Sequence, residues 1–275
     1  MRAFAKINIG LWIKSKREDG YHTIETVFLP VDLYDEITIE KSDSFTITGP
    51  NFGKDDLMAK GHRYLEDRFG KLPVSIAIEK NIPVGAGLAG GTADGAALMR
   101  GVRDLYDLPM NDEELIKESV SLGADFPYCF YNKPAIGRGI GEELEGVEIP
   151  SYPLILLNPG FSVSTPEAYS LWKERGDGSA EEAVRILKEG NLSALKDAVS
   201  NDLMAGVAEK HDVIYEMIDA LYREGAAFSH MTGSGPTVYG IFDSAATRDA
   251  AYAILKDKFK IAIKTRTRTS GEGNG

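Results

Sequence analysis

The sequence predicts an α+β fold in two lobes, and three observations lead there. Strand-like segments cluster before residue 80, helical segments crowd the second half, and no regular strand–helix alternation runs through the chain. Its 275 residues are enough for one large domain or two small ones. A strand between proline-bearing segments, SYPLILLNPG at 151–160, marks the boundary. The expected domains are 1–151 and 152–269, followed by a disordered tail over 270–275.

The elements follow in order. Ala5, Ile7, Ile9, Leu11 and Ile13 alternate with Lys6, Asn8 and Gly10, as in a strand with one apolar and one polar face. Lys14 to Gly20 is a polar turn. Segments 23–31, 36–40 and 45–48 read as strands, 55–69 as a helix and 74–79 as a strand. A glycine-rich loop runs from Pro83 to Gly91, before an alanine-rich helix over 92–106. Asn111 and Glu114 form a capping-box pair for a helix to Leu122. Helices are expected over 166–172, 180–189, 192–199 and 213–224, a hairpin over 228–231 and 237–242, and a closing helix and strand over 245–259 and 261–267.

Composition excludes several classes. Net charge is −11, the reverse of a nucleic-acid binder's basic field, although an acidic surface can still hold a local anion site. Cys129 is the one cysteine; it allows neither an intramolecular disulfide nor a zinc cluster, and is expected to pack among Phe126, Tyr128 and Phe130. Met1 to Gly10 lacks a signal-peptide core, and no stretch approaches the roughly 20 apolar residues of a membrane helix. A cytoplasmic protein with no membrane or nucleic-acid partner is expected.

Three segments carry chemistry. Gly85, Gly87, Gly90 and Gly91 lie between a strand and a helix, where backbone N–H groups and the helix dipole make an anion site. The G-x-G-x-x-G reading fails because another helix, not a strand, follows. The P-loop reading fails because Gly91 stands where lysine is required. Asp125, in GADFPYCF, is either a helix cap or a base. Lys6 alone would be a solvated strand lysine; a Lys6–Asp125 pair beside a phosphate loop has the parts of a kinase. Gly233, Ser234 and Gly235 are either a plain hairpin turn or a second backbone cradle.

AKINIGLWIKSKREDGYHTIET at 5–26, PVGAGLAGGTADGAA at 83–97, GADFPYC at 123–129, GRGIGEEL at 137–144 and MTGSGPTVYG at 231–240 resemble the GHMP kinases. This is the galactose, homoserine, mevalonate and phosphomevalonate kinase superfamily. AKIN followed by D-G-Y-H resembles the branch that phosphorylates the 2-hydroxyl of a cytidine-diphosphate-linked methylerythritol, a step of isoprenoid precursor synthesis. The resemblance implies an N-terminal mixed α/β lobe with a glycine-rich ATP loop and a C-terminal ferredoxin-like lobe. It implies ATP and Mg²⁺, a small-molecule substrate, and a monomer or weak homodimer. Pro83, Val84, Gly85, Ala86, Gly87, Leu88, Ala89, Gly90, Gly91, Thr92 and Ala93 would cradle ATP, and Gly233, Ser234 and Gly235 would close on its phosphates. Asp125 would be the base and Lys6 its partner. Asn8 and Thr165 would reach the substrate. Tyr21 and Tyr169 would clamp the cytosine while His22 bonds its edge. Metal ligands stay unassigned. A kinase for another small alcohol, or a non-catalytic binding protein of the same fold, is the alternative. Ala93 and Gly95 depart from the pattern: a hydroxyl is missing at 93, and Gly95 is expected to loosen the helix start.

Overall fold

A computed structural model describes residues 1–50 and 56–273. The alternating N-terminal segment becomes β1 (Arg2–Lys16), paired antiparallel along β2 (His22–Lys41). β2 is one continuous strand where two were expected, because β1 spans the supposed break and Arg2 faces Glu36. β3 (Thr46–Thr48), β4 (Val74–Glu79), β5 (Ala135–Arg138) and β6 (Glu143–Gly146) complete a sheet in the order β3-β4-β2-β5-β6, with β1 beside β2.

Helix α1 (Leu57–Phe69) is capped by Asp56, whose carboxylate accepts the Met58 and Ala59 N–H groups. Asp55, where that helix was expected to start, lies outside the described residues. Helix α2 (Gly90–Leu105) packs on α1. Gly95 belongs to this contact: a Cβ there would lie 2.9 Å from both the Leu57 carbonyl and the Phe126 ring. The glycine is thus what close packing requires, at a cost in helix propensity of roughly 1 kcal/mol. The capping box at Asn111 and Glu114 forms and opens α3 (Asp112–Glu118). Helix α4 (Phe126–Tyr131) follows. It was not foreseen, and nor were β5 and β6; each is too short to show a period.

The second lobe runs β7 (Pro153–Asn158), α5 (Thr165–Ser170), α6 (Ala180–Glu189), α7 (Leu195–Ala198), α8 (Met204–Lys210), α9 (Val213–Arg223), β8 (Phe228–Met231), β9 (Val238–Ile241), α10 (Ala245–Leu255) and β10 (Ile261–Arg266). Its antiparallel sheet has the order β10-β7-β9-β8, the ferredoxin-like arrangement. The continuous apolar run of β7 is explained by burial of both faces. Leu154 and Leu156 join one core, Ile155 and Leu157 another.

β1 departs from simple alternation. Ala5, Ile7 and Ile9 enter the core shared with β7 and α6, whereas Leu11 and Ile13 enter the core of α9 and α10. A register shift between Ile9 and Leu11, at Gly10 with φ +75°, turns the strand. The expected disordered tail is anchored through its described part. Glu272 pairs with Arg266 at 2.7 Å and accepts the Thr269 N–H at 2.9 Å, and Ser270 bonds Glu148. Residues 274–275 lie outside the described residues. Among the described residues, no helix is long and apolar enough to cross a membrane.

Candidate active site

The edge of β1 that faces away from β2 organises the site. Its backbone donates from Lys6 to the Leu88 carbonyl (3.1 Å), from Asn8 to Thr232 Oγ1 (2.9 Å) and from Leu11 to the Ser200 carbonyl (2.9 Å). The glycine loop and the Gly233–Gly235 turn therefore meet on one strand. A cavity of about 1230 Å³ opens there, lined by Lys6, Asn8, Tyr21, His22, Asp125, Thr165, Tyr169, Gly233 and Ser234. It exceeds the roughly 300–1,000 Å³ of a single-ligand pocket.

Lys6 and Asn8, expected on one polar face, touch each other: Lys6 Nζ donates to Asn8 Oδ1 at 2.7 Å and to the Gly87 carbonyl at 3.2 Å. Neither is solvated; they are 5% and 3% exposed. Asn8 Nδ2 donates to Thr26 Oγ1, which donates on to the Gly10 carbonyl. The expected Lys6–Asp125 ion pair is not made, although both groups line the cavity. Asp125 occupies the N-cap position of α4, yet its side chain makes no capping bond. The structural duty that would explain a carboxylate there is absent.

The loop ends on Ala89, in left-handed conformation and without a side-chain cap, so the first-turn N–H groups of α2 are open to an anion. Pro83 to Gly87 and Ala89 to Thr92 line the cavity. Leu88 and Ala93 do not; they are 1% and 4% exposed and pack in apolar cores. A hydroxyl at 93 would sit in that core, so Ala93 takes no ligand contact away. Gly87 has φ +76°, and a Cβ on it would come within 2.8 Å of the Gly235 carbonyl. That glycine is required by the close approach of the two turns. Gly235 itself does not line the cavity.

Tyr21 and Tyr169, expected on the two faces of a cytosine, both line the cavity; His22 stacks on Tyr169 with centroids 4.9 Å apart, and Trp172 meets His22 edge-on at 5.7 Å. Tyr21 is 57% exposed. Burial, with Lys16 nearby, holds the His22 imidazole below its usual range, so a neutral ring offers one donor and one acceptor. Burial pushes the Cys129 thiol up, consistent with a packing role.

Sequence reasoning missed a buried triad behind the loop. Lys80, ahead of Pro83, bridges Asp35 and Asp94, lying 2.5 Å from Asp94 Oδ2. Asp35 Oδ1 also accepts the Asn81 and Ile82 N–H groups. The triad joins β2, the residue that follows β4, and α2 just past its first turn. Two carboxylates share one ammonium. Burial, opposed by Lys80, pushes the Asp94 carboxyl up to about 7. A raised carboxyl holds a proton that the unfolded chain releases, so its stabilising contribution is full at low pH and is lost as pH rises toward 7. In urea melts the wild-type midpoint should fall more steeply between pH 5 and 8 than that of Asp94→Asn. Equal slopes would reject this account.

Comparison with known proteins gives the family. The GHMP kinases N-terminal domain matches residues 56–133 and the GHMP kinases C-terminal domain matches 182–261. The 4-diphosphocytidyl-2-C-methyl-D-erythritol kinase of Caldicellulosiruptor bescii is 37% identical over 100% of this chain and 99% of its own. That of Thermoanaerobacter pseudethanolicus is 34% identical over 98% and 96%. A crystal structure of 4-(cytidine 5'-diphospho)-2C-methyl-D-erythritol kinase superposes with TM-score 0.85 at 28% identity, covering 99% of both chains. Homoserine kinase from Cytophaga hutchinsonii, at 17% identity and TM-score 0.71 over 96% of this chain and 95% of its own, shares the fold. The chain is a kinase and belongs to the 4-diphosphocytidyl-2-C-methyl-D-erythritol kinase family of the GHMP kinases.

Proposed function

We propose that this kinase transfers the γ-phosphate of ATP to the 2-hydroxyl of 4-diphosphocytidyl-2-C-methyl-D-erythritol, in isoprenoid precursor synthesis. One observation carries the reading: the cavity that holds the glycine loop, Lys6 and Asp125 also holds Tyr21, His22, Tyr169 and Trp172. A small acid such as mevalonate has no use for an aromatic cluster; a cytosine does. Part of each group hangs from the β1–β2 ribbon: Lys6 and Asn8 lie opposite Pro30 and Phe28, and His22 lies at the hairpin end opposite Lys16. The ribbon thus holds the base at one station and the reacting hydroxyl at another. The attacked alcohol is tertiary and hindered, so positioning outweighs nucleophile strength.

Asp125 takes the hydroxyl proton. Lys6 and the open N–H groups of α2 offset charge on the transferred group. Among the described residues no group of three or more His, Cys, Asp or Glu could hold a metal. Of the carboxylates that line the cavity among the described residues, Asp19, Asp56 and Asp94 are engaged by Arg17, by the α1 N–H groups and by Lys80. The donor set would fit a Mg²⁺ held by the nucleotide phosphates and water rather than by a protein cage, leaving Asp125 to act as the base. Such an ion would screen the charge on the phosphates.

ADP release should occur with ATP, Mg²⁺ and the cytidine substrate, and not with mevalonate or homoserine. Turnover of either small alcohol instead would overturn the reading. Tyr169→Ala should weaken the cytidine substrate about ten- to a hundredfold, from the loss of one stacking face; unchanged affinity would remove Tyr169 from the base site.

A further inference from the structure

We propose that Asn201 is a positioning residue that turns the Gly233–Ser234 peptide so that the Ser234 N–H points into the cavity as an anion donor for the transferred phosphoryl group. The inference rests on reading the cavity as a phosphoryl-transfer site.

Asn201 lies between α7 and α8, is 5% exposed, and does not line the cavity. Its Nδ2 donates to two carbonyls of the turn, Met231 at 3.0 Å and Gly233 at 2.9 Å. Its Oδ1 accepts the Leu203 N–H at 3.0 Å. The side chain is therefore held in one orientation by three bonds. Its backbone is held as firmly. Asn201 forms a parallel bridge with Leu11, Ser200 and Asp202 exchange bonds with the Leu11 backbone, and Asp202 Oδ2 accepts the Ile13 N–H at 2.7 Å. Asn201 is thus referenced to β1, the strand that carries Lys6 and Asn8.

The turn sits directly over that pair. A Cβ on Gly233 would lie 3.0 Å from Asn8 Oδ1 and 3.5 Å from Lys6 Nζ. In a trans peptide the C=O and the following N–H point to opposite sides. With the Gly233 carbonyl drawn onto Asn201, away from the cavity, the Ser234 N–H faces the other way. Gly233 and Ser234 both line the cavity. The remaining bonds of the turn, Gly235 N–H to the Thr232 carbonyl and Thr232 N–H to the Thr237 carbonyl, leave the Ser234 N–H without a protein acceptor among the described residues. A fixed donor without a protein partner, beside the lysine and opposite the glycine loop, is placed to meet charge as it develops.

Asn201→Asp tests this. The aspartate keeps the size and the acceptor for Leu203, but presents oxygen where two carbonyls need donors. The kcat per folded enzyme should fall about a hundredfold, the usual loss for one misaimed donor, with ADP affinity and the KM for the alcohol unchanged. A merely structural role would lower the melting temperature and leave that kcat intact, and this result would overturn the proposal. The second arm uses wild-type protein. In ¹⁵N-labelled enzyme the Ser234 amide resonance should shift when ADP with aluminium fluoride is added. It needs neither the variant nor the alcohol, so it separates this proposal from the substrate assignment. A Ser234 amide that does not respond overturns the proposal even if Asn201→Asp fails to fold.

Discussion

Asp125→Asn should lower kcat by about 10²- to 10⁴-fold, the range for a general base, while both substrates still bind. The expectation follows from what Asp125 does not do. It stands at the N-cap of α4 without capping it and makes no ion pair among the described residues. Replacing it removes no structural bond, so the melting temperature should hold. The asparagine keeps the shape and loses the ability to take a proton. Single-turnover phosphorylation and an isothermal titration of the cytidine substrate separate the two effects. A variant whose kcat stays within about tenfold of wild type would exclude Asp125 as the base. Lys6 would then be left holding Asn8 and the Gly87 carbonyl at the site, and the proton would need another acceptor.

Lys80→Met should cost about 3–5 kcal/mol of stability, the usual penalty for breaking a buried ion pair from one side. Against a net stability of about 5–15 kcal/mol this is severe. The ammonium is the shared counter-ion of two buried carboxylates; the side chains of Lys80, Asp35 and Asp94 are 10%, 0% and 3% exposed. Asp35 keeps two backbone N–H donors without it, but Asp94 already has one buried oxygen without a partner and would lose its counter-ion. The triad also ties the strand before the glycine loop to the helix after it, so the KM for ATP should rise along with the loss of stability. Adding Asp94→Leu to Lys80→Met removes the stranded buried carboxyl group and should recover part of the urea midpoint. If the double variant is less stable than the single one, the shared-charge account fails. Coupled residues of this kind are where mutational effects stop adding.

Much of this was legible in the chain, and the boundary between legible and hidden is physical. A capping box is local, so Asn111 and Glu114 could be read directly. Two-residue periodicity is also local, so the Lys6–Asn8 face could be read too, although not its burial. The glycine spacing of 85–91 marks a backbone that must come close to something, but glycines do not say what approaches. Here it is the Gly235 carbonyl, which Gly87 alone would not reveal. Tyr21 and Tyr169 were read as the two faces of a cytosine clamp with His22 at its edge; in the fold His22 itself stacks on Tyr169, because ring stacking depends on the hairpin's path and not on residue type.

The sequence by itself determined what short-range pattern carries: the α+β class and the glycine-rich turn between a strand and a helix, while Asp125 in GADFP stayed open between cap and base. Only the tertiary structure decided which segments share the free edge of β1. Asn8 and Thr232 meet across 224 residues, and Lys80 reaches Asp35 across 45. An unpaired strand edge offers N–H and C=O groups in a fixed row, and any segment of the chain can satisfy them. Nothing in the local pattern of Asn201, Lys80 or Asp94 names the partner. Those partners are set when buried polar groups must find one another as the cores close, and that choice places the lysine, the asparagine and both glycine turns at one point.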